Sequence, residues 1–175
     1  MEGDTVYGAI GKGLLVTCVD RKTRYLAASL LDARSTSLTR QAVQKALQGL
    51  PVTSVSLDNG SEFADFKGME QDLNTKVYFA DRHAPWQRGS NENINGLVRF
   101  FFPKGTDFHK ITEDMLNYVL DLINRRPRKC LGWFSRQISY IQSVALELTI
   151  YPPPSSEGGV SDFQGNLFLY YQLQF

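Results

Sequence analysis

Three carboxylates carry the chemical interest of this 175-residue chain: Asp4, Asp58 and Glu92. Each also has an ordinary reading. Asp4 in isolation says almost nothing, and Asp58 heads an Asp-Asn-Gly sequence common in turns. Glu92, in the stretch QRGSNENINGL (residues 87–97), also reads as a surface acid with helical ion pairs worth about a few tenths of a kcal/mol each. Brought together, the three would repel by roughly 4 kcal/mol per pair at ~4 Å with an effective dielectric of 20. Unless one took up a proton, a divalent cation would have to fill the gap. Oxygen-only ligands favour Mg²⁺ or Mn²⁺ over zinc. Two such ions about 3.5–4 Å apart suit phosphoryl chemistry.

The elements that must position these acids are readable from periodicity. GDTVYGAI, GLLVTCVDR and RYLAASLL are short β-prone runs separated by turn signals, which predicts an antiparallel meander with Asp4 in its first strand. The period then changes. Ala42, Val43, Ala46, Leu47 and Leu50 form a helical stripe, with N-cap candidates from Ser35 to Ser37 and a stop at Gly49 and Pro51. VTSVSLDNG predicts a fourth strand ending at Asp58, followed by a short helix over residues 64–73 and a fifth strand, KVYFAD. A long helix carries Glu92, and TEDMLNYVLDLINRR makes the last, with Leu116, Val119, Leu120 and Ile123 on one face. On the Glu92 helix, Ile94, Leu97, Val98 and Phe101 share one side at ~100° per residue. Arg88, Glu92, Asn95 and Arg99 share the opposite side, so the acid is expected to point away from the core, between two arginines. Three strands, a helix, then alternation imply an α/β mixed sheet covered by helices. Ligands collect at strand ends beside a change of strand order.

Composition narrows the classes. No apolar run approaches the ~18–20 residues that span a membrane, and the first residues lack the features of a signal peptide. Two cysteines, Cys18 and Cys130, and two histidines give neither a disulfide framework nor a zinc cluster, so a reducing cytoplasm is the default. Residues 1–134 hold 18 basic and 15 acidic side chains, whereas residues 135–175 hold one Arg against three acids. Arg125, Arg126, Arg128 and Lys129 cluster just before that break. They read either as a solvated face or as phosphate contacts.

The motifs EGDTVYG, SLDNGSEF, APWQRGSNENINGLVRFFFPKGTDF and NRRPRKCLGW occur in that order, with 33 residues between Asp58 and Glu92. Together they resemble the insertion-sequence thirty (IS-thirty) family of bacterial transposases over about residues 2–134. The resemblance implies an RNase H-like fold, a five-stranded mixed sheet flanked by helices, with Asp4, Asp58 and Glu92 as an Asp-Asp-Glu triad holding two Mg²⁺ (or Mn²⁺) ions. It implies phosphodiester cleavage and strand transfer on transposon ends and target DNA, by a homo-oligomer assembled on DNA, without a membrane or a nucleotide cofactor. A cytoplasmic, nucleoid-associated protein of bacteria is expected. By motif position Asn59, Gln87, Arg88, Asn91, Asn95 and Arg99 line the site or touch DNA, along with the basic cluster. Trp86 reads as a base-stacking ring or a buried helix-entry anchor, and His83 as a neighbour of the scissile phosphate or a plain loop residue.

Two departures from the family pattern shape the expectations. Met1 stands where the family has a tryptophan, and the helix-turn-helix region that recognises transposon ends does not precede it. A terminal first strand is expected to fray unless paired on both sides. After LGWFS the pattern is lost, so residues 1–134 are expected to be the catalytic core and residues 135–175 an atypical tail, frameshifted or fused. That tail contains Pro152, Pro153 and Pro154, a Ser/Gly stretch at residues 155–159 and apolar patches at 144–150 and 167–173. A structure-specific nuclease of the same fold is the enzymatic alternative. A catalytically silent fragment that binds DNA or inhibits full-length transposase is the non-enzymatic one.

Overall fold

The run LLVTCV forms β2 (Leu14–Val19), and all of it is buried. Continuous burial follows from cover on both sheet faces: Leu14, Val16 and Cys18 join one apolar cluster, Leu15 and Val19 another. The computed structural model describes residues 1–81 and 89–150, apart from the side chains of Ser90, Glu92 and residues 147–150. β1 (Glu2–Tyr7) and β3 (Leu26–Leu31) pair antiparallel with the two edges of β2, giving the expected meander. β4 (Ser54–Leu57) runs parallel to β1, and β5 (Lys76–Phe79) parallel to β4. The strand order is β3-β2-β1-β4-β5, a mixed sheet of the RNase H-like kind.

Helices α1 (Thr36–Leu47) and α2 (Phe66–Leu73) cover one face, burying Ala42, Val43, Leu47 and Met69. Helices α3 (Gly89–Phe101) and α4 (Glu113–Arg125) cover the other through Ile94, Val98, Leu116 and Ile123. α4 starts cleanly because the Thr112 side chain accepts from the Met115 N–H at 3.2 Å, with Glu113 and Asp114 in the first turn. Ser35 occupies the N-cap of α1 without a side-chain capping bond. None of the described helices is long and apolar enough to cross a membrane.

The first strand meets the condition for staying in place. β2 flanks it on one side, and on the other the Met1 carbonyl accepts from Ser56 N–H at 2.8 Å. At the far edge Asn124 does the work of a missing strand. Its amide donates to Leu26 O at 2.8 Å and its carbonyl accepts from Leu26 N–H at 2.9 Å. Both backbone groups of an edge residue are thereby satisfied inside the protein.

The composition break at Ser135 does not coincide with the end of the compact unit, which runs over Met1–Val144. A fifth helix, α5 (Arg136–Ile150), begins there, with Ser135 Oγ accepting from Ile138 N–H at 3.2 Å. Arg136, Tyr140 and Val144 follow at helical spacing. Val144 is buried, and Tyr140 stacks on Tyr25 with ring centroids 4.6 Å apart. An arginine in the inward stripe hides the periodicity, and net charge records composition, not packing. The second unit, Ala145–Phe175, is described only through the last turns of α5. The prolines, the Ser/Gly stretch and the 167–173 patch lie outside the described residues.

Asn124→Ala should lower unfolding stability by about 2–3 kcal/mol, because it orphans two buried backbone groups. Urea unfolding with an unchanged m-value checks this, and a loss within error of zero would show that Leu26 finds other partners.

Candidate functional site

Parallel pairing of β1 and β4 sets Glu2 opposite Ser56. Carried two residues further, the same register would put Asp4 beside Asp58, the residue that follows β4. Neighbouring strands are about 4.8 Å apart, and residues two apart share a face. Both acids are half-buried. Each is oriented by a backbone N–H: Thr5 N donates to Asp4 Oδ1 and Gly60 N to Asp58 Oδ1, both at 2.9 Å. Their donor atoms are all oxygen, which suits a hard divalent ion. Among the described residues no group of three His, Cys, Asp or Glu side chains forms a ready metal site. The third expected acid, Glu92, lies on α3 with its side chain outside the description.

The polar side of α3 does not face water as the helical period suggested. Asn95 Nδ2 donates to Asp4 Oδ2 at 2.8 Å, which turns this side onto β1. Asn91 is 3% exposed, and neither of its amide atoms has a partner. Asn95 Oδ1 and Arg99 Nη1 are likewise buried and unsatisfied, and burial pulls the Arg99 guanidinium below its ordinary range. Ile94 and Val98 meanwhile fill the core as expected. The helix is therefore covered on two sides, one apolar and one polar. Unused hydrogen-bonding capacity concentrates beside Asp4.

A buried acid that sequence reasoning passed over stands behind this pair. Glu62 is only 5% exposed, in the 3-10 turn Ser61–Phe63. Its Oε1 accepts from Thr5 Oγ1 at 3.1 Å and from the Tyr7 hydroxyl at 2.9 Å, and its Oε2 from Arg34 at 2.8 Å. Burial alone would raise its pKa. Hydrogen bonds from the backbone, Arg34, Tyr7 and Thr5 outweigh that and hold the carboxyl below its usual range. A Glu after Asp-Asn-Gly-Ser reads as a solvated turn acid. Its place directly before Phe63, a core residue, was the one available signal.

The remaining expected residues divide. Asn59 is exposed and its amide donates to Ala80 O at 2.8 Å, tying together the segments that follow β4 and β5. Arg128 reaches α3, donating to Asn93 Oδ1 at 2.9 Å. Arg125 pairs with Asp121 at 2.7 Å, while Arg126 and Lys129 are exposed. His83, Trp86, Gln87 and Arg88 lie outside the described residues. Beneath the basic cluster, Arg136 is 1% exposed and donates to Ile123 O at 2.7 Å, with its Nε unsatisfied. Burial, reinforced by Arg128, Arg126 and Arg24 nearby, pushes its guanidinium down to about 10.

No family model matches the chain. It is 39% identical over 148 residues, 83% of its length, to the transposase InsI for insertion sequence element IS30A of Escherichia coli (strain K12). It is 37% identical over 138 residues, 77% of its length, to the transposase for IS1086 of Cupriavidus metallidurans. With the transposase for IS4351 of Bacteroides fragilis it shares 33% identity over 146 residues, 82% of its length. These matches take in 38%, 40% and 45% of the three proteins, so the chain spans less than half the length of the curated relatives it matches.

Arg136 makes no ion pair among the described residues, which predicts a gain on its removal. Arg136→Met should stabilise the fold, because it replaces an unpaired buried charge with apolar volume. Thermal unfolding checks this; a lower melting temperature would mean that the bond to Ile123 outweighs desolvation.

Proposed function

The chain belongs to the insertion-sequence thirty (IS30) family of transposases, and we propose that it is the part that cleaves phosphodiesters and transfers strands during DNA transposition. The observation that supports this reading is the parallel pairing of β1, which carries Asp4, with β4, which Asp58 directly follows. In this reading Asp4, Asp58 and Glu92 hold two Mg²⁺ (or Mn²⁺) ions. Such ions activate an attacking oxygen and stabilise a leaving one in an in-line displacement. Cleavage by water would expose a 3′-OH, which then attacks target DNA.

The chain's own groups prepare this. Asn95 fixes one oxygen of Asp4 and the Thr5 N–H the other, which limits rotation of the carboxylate. Gly60 N–H does the same for Asp58. Asn91 and Arg99, on the helix that carries Glu92, are assigned to the site by motif position, and each holds a buried, unsatisfied donor. Gln87, Arg88 and Asn59 are assigned by motif position to line the site or touch DNA. Arg125, Arg126, Arg128 and Lys129 extend positive charge beyond α3, with Arg128 joined to it through Asn93. Assembly as a homo-oligomer on transposon ends and target belongs to the same proposal, as does a cytoplasmic, nucleoid-associated setting.

Asp4→Asn, Asp58→Asn and Glu92→Gln should each abolish Mg²⁺- or Mn²⁺-dependent nicking of duplex DNA while leaving the circular dichroism spectrum unchanged. Nicking that persists in purified Glu92→Gln protein would sink the triad. Nicking absent from the unmodified chain, with DNA binding retained, would favour the silent-fragment alternative.

DNA binding should be sequence-tolerant and salt-sensitive. Charge reversal of Arg125, Arg126, Arg128 and Lys129 should flatten the slope of log K against log salt by roughly 0.9 per lost phosphate contact. An unchanged slope would return that cluster to a solvated face.

A further inference from the structure

Glu62 is linked to a group that orients each candidate acid. Thr5, which gives Glu62 its hydroxyl hydrogen bond, also gives Asp4 its backbone N–H. Gly60, two residues before Glu62, gives its N–H to Asp58. A methyl group on Gly60 would stand 2.7 Å from Glu62 Oε2 and 2.8 Å from Asp58 Oδ1, so the two carboxylates flank the same backbone carbon. Thr5 and Tyr7 point to the sheet face opposite Asp4, because successive strand residues alternate. Glu62 therefore approaches β1 from behind. Its oxygens are occupied by Thr5, Tyr7 and Arg34.

We infer that Glu62 is a positioning residue, a buried carboxylate that sets the separation of Asp4 and Asp58 by bolting β1 to the turn that follows β4. This deepens the metal-dependent reading above and rests on it. Hydrogen bonds join Asp4 to Thr5, Thr5 to Glu62 and Gly60 to Asp58, and the turn backbone from Gly60 to Glu62 completes the path. A purely apolar residue at position 62 would leave the Thr5 and Tyr7 hydroxyls and Arg34 without their shared acceptor. Glutamine would keep the shape, but it loses the charge that Arg34 faces and offers that guanidinium an amide in place of one acceptor. Arg34 is itself half-exposed, reaches Ser61 Oγ at 3.0 Å and lies over the Tyr7 ring, so the brace is anchored beyond the sheet.

The test measures Mn²⁺ binding by electron paramagnetic resonance on the full chain, without DNA. It compares the unmodified protein with Glu62→Gln and with Tyr7→Phe, which removes a single hydroxyl and is the safer variant for folding. Asp58→Asn serves as the control for site-specific binding. Hydrogen exchange at the Thr5 and Gly60 amides is followed in parallel. Glu62→Gln should weaken Mn²⁺ binding by about 10–100-fold, the usual effect of losing a group that orients metal ligands, and Tyr7→Phe should weaken it by less. Both amides should exchange faster in each variant. Faster exchange with unchanged Mn²⁺ affinity would overturn the positioning role and leave Glu62 a structural acid. Unchanged exchange and affinity in folded Tyr7→Phe and Glu62→Gln would remove the brace altogether. If the unmodified chain binds Mn²⁺ no better than Asp58→Asn, the metal-dependent reading fails, and this inference with it.

Discussion

The parallel alignment of β1 with β4 is the constraint on which the rest of the molecule depends. It brings together the segments that carry Asp4 and Asp58, although 53 residues lie between the two acids in the chain. It also puts β1 at the centre of the sheet, where polar side chains are hardest to accommodate. Yet β1 carries Glu2, Asp4 and Thr5, and each is met from elsewhere in the fold. Arg21 pairs with the buried Glu2 at 2.9 Å, Asn95 with Asp4, and Glu62 with Thr5. Gly3 lies against Leu57 so closely that a side chain there would force one of them to move. The least hydrophobic strand occupies the most central position, and its neighbours are arranged around that conflict.

The helices differ in how they meet this demand. α1 and α2 seal one face with ordinary apolar packing, helped by Arg40, which bridges Asp65 on the approach to α2 and Asp72 within it. α3 presents Ile94 and Val98 to the core and the Asn95 amide to Asp4 of β1. A polar group held on a packed helix is more sharply positioned than one on a loop.

The fold was largely legible from periodicity because burial on both faces leaves an apolar run such as Leu14–Val19, and burial on one leaves stripes such as Ile94 and Val98. Asp4 and Asp58 were legible as candidates because strand ends gather ligands, and the strands that carry or precede them are paired in parallel. What periodicity could not convey was which way a polar residue turns. The period put Asn95 opposite the core-facing side without saying that Asp4 of the central strand β1 lies there to meet it. Glu62 and Asn124 were hidden for a related reason. A buried polar residue is betrayed only by its partners, and those lie 57 and 98 residues away in sequence. α5 escaped because Arg136 interrupts its inward stripe and the composition changes there.

The Asn124 clamp has a consequence in time. Leu26 and Asn124 are separated by 98 positions, so this contact closes one of the longest loops in the chain. β2 and β3 are adjacent and can pair early, since local hairpins form in about 1–10 μs. Until α4 arrives, the outer edge of β3 stands with its hydrogen-bonding groups open, a template for another chain's strand. The interval between meander formation and α4 docking thus leaves that edge open to misassociation, and Asn124 closes its first residue, Leu26.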